Sequence, residues 1–355
     1  MKIKKAAAVF LAGALASSLM LGGCGSQINK DEIVATMGDQ EISLGYAYFA
    51  ARYNQVTYDN MFASYYGEGY WTNEDYADED GRTLEKSVKD AVMEEIETDL
   101  LLEQHMSEYG VEITEEEQAA MDEAAAKFME DNSDEAVKAL GATEEYVAEL
   151  LYYETVSRKM TEAIGATADS NISEEECARR TFSYIQIDLG GYTDETGSYV
   201  SYTEEEADAI RESVPSIAEM AKSDFDAAAE AYSYNVSSYS YGKDEAAEAD
   251  GGFSEEVIAA ADSMTEGQVS DAIEADGCYY IIRLDSENDE EAAAEAREEI
   301  LSDRQDEKFA EVTEAWKEES GFELDEDVWA KVHFTDVFTT VNNAGQESDG
   351  GTEEE

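Results

Sequence analysis

The stretch Thr181-Phe-Ser-Tyr-Ile-Gln-Ile-Asp-Leu189 separates two kinds of pattern in this chain of 355 residues. Its polar and apolar residues alternate, and β-branched or aromatic side chains are frequent, which is typical of a β-strand. Before it, from residue 31 to about residue 176, apolar residues recur at helical spacing. After it, strands and helices are mixed within roughly 110 residues, the size of a small domain. The sequence therefore predicts an α+β fold that begins with a mainly helical segment.

The helical segment is indicated by apolar periodicity and by capping signals. Residues 33–42 are predicted to form a short strand, a Gly-Asp turn and the start of a second strand, and a helix is expected from about Ser43. An amphipathic helix is indicated by apolar residues at every fourth position, namely Leu84, Val88, Val92, Ile96 and Leu100. Thr114 and Ser173 each precede a glutamate by three positions, which is the spacing of a capping box and predicts that a helix starts there.

The second half of the chain contains further elements of both kinds. Thr203 begins another capping box, and residues 279–284 form a second strongly apolar strand. Residues 234–252 are predicted to be a long polar loop because they are rich in Ser, Tyr, Asp and Gly. Residues 290–319 are Ala- and Glu-rich and predict a long helix. Residues 328–337 carry large apolar side chains and are expected to close a sheet or a groove.

Residues 1–23 have the features of a secretory signal, with three lysines followed by an uncharged run from Ala6 to Leu21. The run is shorter than the ~18–20 residues that a membrane-spanning helix needs. Leu21-Gly-Gly-Cys24-Gly-Ser26 resembles the lipobox of bacterial lipoproteins. That resemblance implies a diacylglyceryl group on Cys24, residues 24–32 as a tether, and a place on the extracytoplasmic face of the bacterial cell membrane. A plain signal peptide and an uncleaved anchor are the alternatives.

The charge balance limits the classes of partner. The chain has 86 acidic and 23 basic residues, for a formal net charge of −63. Such a surface repels phosphate backbones and anionic lipids, so nucleic-acid binding is not expected and contact with the membrane should come from the lipid anchor alone. Because 43% of the residues are hydrophobic, the chain is expected to fold. Residues 341–355 are the exception and are predicted to be a disordered acidic tail.

Metal and disulfide chemistry find little support in the sequence. Two cysteines remain after Cys24, too few for a disulfide scaffold in a chain of this length. Neither His105 nor His333 has a cysteine or a second histidine at metal-ligand spacing. No metal and no other cofactor is therefore expected.

The order of these motifs resembles the PrsA-like foldase lipoproteins and the related SurA-like chaperones. The resemblance begins with Gly38-Asp-Gln-Glu-Ile42 and continues with Leu101-Leu-Glu-Gln104 and Gly110-Val-Glu-Ile-Thr-Glu-Glu-Glu117. It implies a helical chaperone domain interrupted by an inserted parvulin-like domain. The implied boundaries are 33–176 for the first part of the chaperone domain, 177–287 for the parvulin-like domain, and 288–340 for the helical return.

Four segments of the insert resemble parvulin-type peptidyl-prolyl cis-trans isomerases. They are residues 225–233, which end in an aromatic residue and a serine, the turn Asp250-Gly-Gly-Phe253, the segment 264–270 and the final strand 277–284. In this arrangement the strands that follow Cys177 and Cys278 are antiparallel neighbours, so the two cysteines should lie at opposite ends. We therefore expect two separate thiols.

The same resemblance assigns the site residues. Tyr184 occupies the first-strand position where parvulins usually have a histidine, and Tyr279 or Tyr280 occupies the last-strand position, depending on how the final strand is aligned. Asn235 stands at the position of the family's cysteine or aspartate. The residues expected to bind the substrate are Phe253, Val257 and Met264. The alternative interpretation is that the tyrosines are ordinary strand aromatics and Asn235 a turn residue.

Prolyl isomerisation fits a site without a nucleophile or a metal. The barrier of ~18–20 kcal/mol arises from amide resonance, and no bond to the amide breaks. A catalyst needs an apolar pocket for the proline ring and groups that favour the twisted amide. A tyrosine hydroxyl can donate a hydrogen bond, so Tyr184 and Tyr279 or Tyr280 could retain part of the activity.

The helical segment has its own candidate surface. Eight tyrosines lie between Tyr46 and Tyr76, and they are expected either to line a groove for unfolded or secreted client polypeptides or to build the domain core. Three functions follow: a membrane-anchored foldase with a parvulin-like domain of reduced activity, a non-catalytic holdase with the same fold, and a solute-binding lipoprotein. The third would require strand–helix alternation in two lobes. The sequence does not determine whether the chain forms a homodimer through the helical segment.

Overall fold

A computed structural model describes residues 14–18, 28–67, 69–193, 197–242, 252–334 and 337–341. Cys24 and the predicted tail after residue 341 lie outside these ranges. The contacts divide the chain into two compact units, the first formed by residues up to Thr167 together with those from Asp306 onward, and the second by Ala168–Gln305. Helices and small separate sheets make up both units, which confirms the predicted α+β class. None of the described helices has the length and apolar character that a bilayer span requires.

The elements of the first part of the chain follow the predicted order. They are β1 Ala14–Ser18, β2 Ile33–Met37, β3 Gln40–Ser43, α1 Leu44–Tyr66, α2 Leu84–His105, α3 Glu115–Asp131, α4 Asp134–Leu140 and α5 Glu144–Gly165. Single 3-10 turns occur at Tyr70–Thr72, Glu74–Tyr76 and Met106–Glu108. The strand β1 lies within the stretch that is predicted to be removed as a signal.

The remaining elements build the second unit and then return to the first. The second unit contains α6 Glu174–Cys177, β4 Arg180–Asp188, β5 Gly191–Thr193, β6 Tyr199–Ser201, α7 Glu204–Ser223, α8 Phe225–Tyr232, β7 Val236–Tyr241, α9 Glu255–Ser263, β8 Ile273–Ala275 and β9 Cys278–Ser286. The chain then continues through α10 Glu290–Glu319, β10 Phe322–Leu324, α11 Glu326–Trp329 and β11 Val337–Val341. The helix α7 contains Pro215, the only proline of the chain.

All strand pairs of the described residues are antiparallel. The sheets have the orders β10-β2-β3, β7-β4-β9-β8, β5-β6 and β1-β11. The described part of the chain therefore shows no sign of the two lobes of alternating strands and helices that a solute-binding lipoprotein would need.

The predicted capping boxes are present and set the starts of three helices. Thr114, Ser173 and Thr203 each accept a hydrogen bond from the backbone N–H of the glutamate three positions later, and that glutamate accepts one from the backbone N–H of the cap residue. Ser43 caps α1 by accepting from the N–H of Tyr46. These bonds satisfy backbone donors that would otherwise have no partner at a helix start.

The helix α10 contributes to the core of both units. Ala296 is buried beside Ile172 and Cys177 in the second unit. Further along the same helix, Phe309 and Trp316 pack in the first unit against a cluster formed by α2 and α5. The C-terminal part of α10 is thus a core element of the first unit.

A buried polar network joins three parts of the first unit at Asp59, which is only 2% exposed. The donors to its carboxylate are the Tyr70 hydroxyl at 2.8 Å, the Trp71 indole N–H at 2.9 Å, the Gln55 amide at 3.0 Å and the Phe338 backbone N–H at 2.8 Å. Burial raises the pKa of the Asp59 carboxyl, and these donors act in the opposite direction. The network fastens the Tyr70–Thr72 turn and β11 to α1.

The aromatic-rich stretch of the first unit contains both core residues and surface residues. Tyr46, Tyr70 and Trp71 are buried and belong to the core. Tyr65 and Tyr76 are exposed and reach the surface near the end of α1. The tyrosines therefore do not form one continuous groove.

One prediction about local structure is wrong. Residues 236–241 form the strand β7 rather than part of a loop, because pairing along β4 supplies the backbone partners that their Ser-rich sequence did not suggest. Within the stretch 328–337, which is expected to close a sheet or a groove, residues 328 and 329 end the short helix α11 and residue 337 begins the strand β11. Asp325 caps α11 by accepting from the N–H of Val328.

We expect Asp59→Ala to lower the free energy of unfolding of the first unit by about 3–5 kcal/mol, because several buried donors lose their acceptor. Urea unfolding followed by tryptophan fluorescence measures this unit specifically, since Trp71, Trp316 and Trp329 all lie in it. Asp90→Ala is the control, because Asp90 makes only an exposed ion pair with Lys86 and should change stability by less than about 1 kcal/mol. Equal unfolding midpoints for the two variants would contradict the role of the network.

Candidate functional site

The register between β4 and β9 determines which side chains meet in the second unit. Tyr184 lies opposite Ile282, and Gln186 lies opposite Tyr280. Directly opposed residues of an antiparallel pair lie on the same face of the sheet, and neighbours along a strand lie on opposite faces. Tyr184 and Tyr280 are therefore on one face.

The ring of Phe253 lies at the centre of this face. It precedes α9 and contacts four other rings, with centroid distances of 4.8 Å to Tyr184, 4.9 Å to Tyr239, 5.2 Å to Phe182 and 5.2 Å to Tyr280. The contacts with Tyr184, Phe182 and Tyr280 are edge-to-face, an arrangement that aromatic rings prefer. We call Phe253 with these four rings the aromatic cluster.

The two predicted tyrosines differ in exposure within the aromatic cluster. Tyr280 is 8% exposed, whereas Tyr184 is only half-buried, and their ring centroids are 6.3 Å apart. Burial, with smaller contributions from Cys278, Asp276 and Tyr184, raises the pKa of Tyr280 to about 12. Its hydroxyl therefore stays protonated at neutral pH and is able to donate a hydrogen bond.

The predicted substrate-binding residues fall into two groups. Phe253 is half-buried and can contact a ligand. Val257 is fully buried and Met264 is 5% exposed, so both pack beneath the aromatic cluster rather than lining an open pocket. Their contribution is to support Phe253 and the end of α9.

Tyr279 and Asn235 lie away from the aromatic cluster. Tyr279 is on the opposite face of β9, where it packs with Ile281 against the hydrophobic residues of α7 and α8. Asn235 is exposed and precedes β7, whose pairing with β4 ends at the pair Ile185 and Val236. The register therefore places Tyr280, and not Tyr279, on the face of the aromatic cluster.

Two further polar residues belong to this face, and the sequence reasoning did not assign them to it. The Gln186 side-chain amide donates to the Cys278 sulfur at 3.4 Å, and Cys278 lies two residues before Tyr280 on the same face. Because side chains alternate between the two faces along β9, the sequence could have placed Cys278 on the same face as Tyr280. Cys177 and Cys278 are free thiols, as predicted, and both are buried.

The arrangement combines an apolar aromatic surface with hydroxyl and amide groups at its edge. No group of three or more His, Cys, Asp or Glu side chains among the described residues could hold a metal ion. An apolar ring could rest against Phe253 while an adjacent amide accepts a hydrogen bond from the Tyr280 or Tyr184 hydroxyl.

A comparison with protein families identifies the class of this domain. Residues 193–298 match the family model of the PPIC-type PPIASE domain. The match confirms the predicted parvulin-type domain, and the chain therefore contains a peptidyl-prolyl isomerase domain of this class. The matched range begins after β4, so it includes Phe253 and Tyr280 but not Tyr184.

Comparisons with whole proteins gave the following results. No curated protein matches the chain. Among solved structures, the chain is similar to the foldase protein PrsA from Streptococcus pneumoniae, with 15% identity over 68% of this chain and 90% of that chain and a TM-score of 0.31. It is also similar to PrsA from Lactococcus lactis, with 11% identity over 85% and 97% and a TM-score of 0.32. A structure of the SurA-like chaperones PEB4 and Cj1289 of Campylobacter jejuni has 10% identity over 82% and 98%, with a TM-score of 0.28.

Proposed function

We propose that this protein is a membrane-anchored extracytoplasmic foldase. It binds unfolded or newly secreted polypeptides, and its parvulin-type domain isomerises prolyl bonds with reduced activity. The observation that carries the proposal is the placement of Phe253 between Tyr184 and Tyr280, on one face of a domain of the PPIC-type isomerase class.

The chemistry follows from what prolyl isomerisation requires. The amide must twist over a barrier of ~18–20 kcal/mol, and a hydrogen bond that is stronger in the twisted form lowers that barrier. Phe253 supplies apolar contact for the proline ring, and the protonated Tyr280 hydroxyl supplies the donor. Activity is reduced because positions 184 and 280 carry tyrosines, whereas the family resemblance implies histidines there. The hydroxyl groups therefore replace imidazole rings in the polar network of the site.

We expect Tyr280→Phe to lower kcat/KM for a proline peptide about tenfold, because one hydrogen bond to the transition state is lost. A protease-coupled assay on the full chain measures this rate. The matched control is Tyr279→Phe, which removes a hydroxyl group from the neighbouring residue on the opposite face of β9. This variant should retain the activity of the unmodified chain.

Two results of this assay would contradict the proposed site. An equal loss in both variants would indicate a general effect on β9 rather than a role for the Tyr280 hydroxyl. A rate no higher than background for the unmodified chain would remove the enzymatic half of the proposal and leave a purely non-catalytic holdase.

We expect kcat/KM to change by less than about twofold between about pH 5.5 and 7.5. The pKa of Tyr280 is raised to about 12, so its hydroxyl remains protonated and able to donate at every lower pH. A histidine in its place would titrate near ~6.5, and an ordinary thiol only near ~8.5. Both histidines of the chain, His105 and His333, lie in the first unit. A pH profile with a midpoint near pH 6.5 would show that another group is involved.

Membrane anchoring is proposed from the lipobox-like sequence around Cys24. We expect Cys24→Ser to move the protein from the membrane fraction to the soluble fraction, because a diacylglyceryl group would no longer be attached. Mass spectrometry of the mature N-terminus checks the modification directly. Cys177→Ser is the control, since this thiol is buried in the second unit, and it should leave the protein membrane-bound. Retention of Cys24→Ser on the membrane would contradict a lipid anchor.

A further inference from the structure

Gln186 is an exposed polar residue on the face of the sheet that carries the aromatic cluster. It lies directly opposite Tyr280 in the pairing of β4 with β9, and Tyr184 is two positions before it on β4. Directly opposed residues of an antiparallel pair have their Cβ atoms about 4.5–5.5 Å apart. The side chain of Gln186 therefore borders the candidate site from the exposed side, and the chemistry assigned to Phe253 and Tyr280 does not use it.

The Cys278 sulfur holds the Gln186 amide in one orientation. Gln186 Nε2 donates to Cys278 Sγ at 3.4 Å, and this cysteine is only 7% exposed. Because the nitrogen of the planar amide is directed at the buried sulfur, the oxygen Oε1 is directed away from it. Within the ranges that the structure describes, no donor contacts Oε1. The site thus has an exposed hydrogen-bond acceptor that is oriented by a buried group.

The same sulfur brings this acceptor next to the donor of the site. The Tyr280 hydroxyl also forms a hydrogen bond with Cys278, which precedes it by two positions on the same face of β9. Groups that share one hydrogen-bond partner are neighbours, so the Tyr280 hydroxyl and the Gln186 amide lie side by side. Sulfur is a weak acceptor, and a peptide carbonyl can therefore replace it as the partner of the hydroxyl.

An adjacent donor and acceptor match the backbone of the residue that precedes proline. The proline ring disfavours the helical conformation of that residue and holds it extended. The N–H and C=O of an extended residue point to the same side, which is how one residue of an antiparallel pair exchanges two hydrogen bonds with its partner. When the Tyr280 hydroxyl donates to this C=O, Gln186 Oε1 is placed to accept from the N–H of the same residue.

We propose that Gln186 is a substrate-binding residue of the isomerase site, and that its Oε1 accepts a hydrogen bond from the backbone N–H of the client residue that precedes proline. This inference rests on the proposed isomerase activity and defines its substrates further. Clients with any other amino acid before the proline make the hydrogen bond. A Pro-Pro bond is isomerised more slowly, because a proline in the preceding position has no N–H.

The test compares two peptides that contain the same Phe-Pro bond. In the second peptide an ester oxygen replaces the backbone N–H of the phenylalanine, and the rest is identical. In the protease-coupled assay with the full chain, kcat/KM for the amide peptide should be about fivefold higher than for the ester peptide, as expected for one hydrogen bond. In Gln186→Leu, which lacks the acceptor, the two peptides should differ by less than about twofold.

Gln118→Leu is the matched control, because it makes the same substitution at an exposed position on α3 of the first unit. This variant should keep the amide-to-ester ratio of the unmodified chain. The ratio is taken within each variant, so a loss of folded protein lowers both rates equally and does not change it. An unchanged ratio in Gln186→Leu would overturn the inference, and so would equal rates for the two peptides in the unmodified chain.

The amide peptide also separates failure of this inference from failure of the proposed isomerase activity. If Tyr280→Phe lowers kcat/KM and Gln186→Leu leaves the amide-to-ester ratio unchanged, the role of Gln186 is wrong and the isomerase proposal stands. If the unmodified chain gives no rate above background with either peptide, the isomerase activity and the role of Gln186 are both wrong.

Discussion

Antiparallel pairing between β4 and β9 is the constraint on which the candidate site depends. Ile282 and Leu284 are fully buried on the same face as Tyr184 and Tyr280, so the register is fixed by core packing as well as by backbone hydrogen bonds. A slip of one residue would turn every side chain of β9 to the other face. Tyr279 would then replace Tyr280 beside Phe253. The positions of Tyr184 and Tyr280 are thus specified by the sheet.

The first unit contains two buried aspartates in opposite situations. Asp59 receives hydrogen bonds from four donors and fastens β11 and the Tyr70–Thr72 turn to α1. Asp99 receives none from the described residues and lies among other carboxylates. Burying a carboxylate costs free energy, and hydrogen-bond donors offset that cost at Asp59 but not at Asp99. The donors around Asp59 therefore give it a structural role in the first unit.

Much of the fold was predictable because local signals agreed with the final structure. The capping boxes at Thr114, Ser173 and Thr203 depend only on residues within three positions of each cap. The alternation of polar and apolar residues around Tyr184 is a strong strand signal. The strand β7 was missed because its Ser-rich sequence becomes a strand only through pairing with β4. The choice between Tyr279 and Tyr280 required the register, which one sequence does not contain. One partner of Asp59, the Phe338 backbone N–H, comes from a strand 279 positions away, so no local pattern reveals the complete network.

Pro215 lies inside α7, and it is the only proline of the chain. A peptide bond before proline that starts in the wrong isomer can delay folding by tens to hundreds of seconds. Chains with many prolines accumulate such delays, whereas this chain has a single bond at which one can occur. A protein proposed to relieve that delay in others therefore has a single peptide bond at which its own maturation can be delayed in this way.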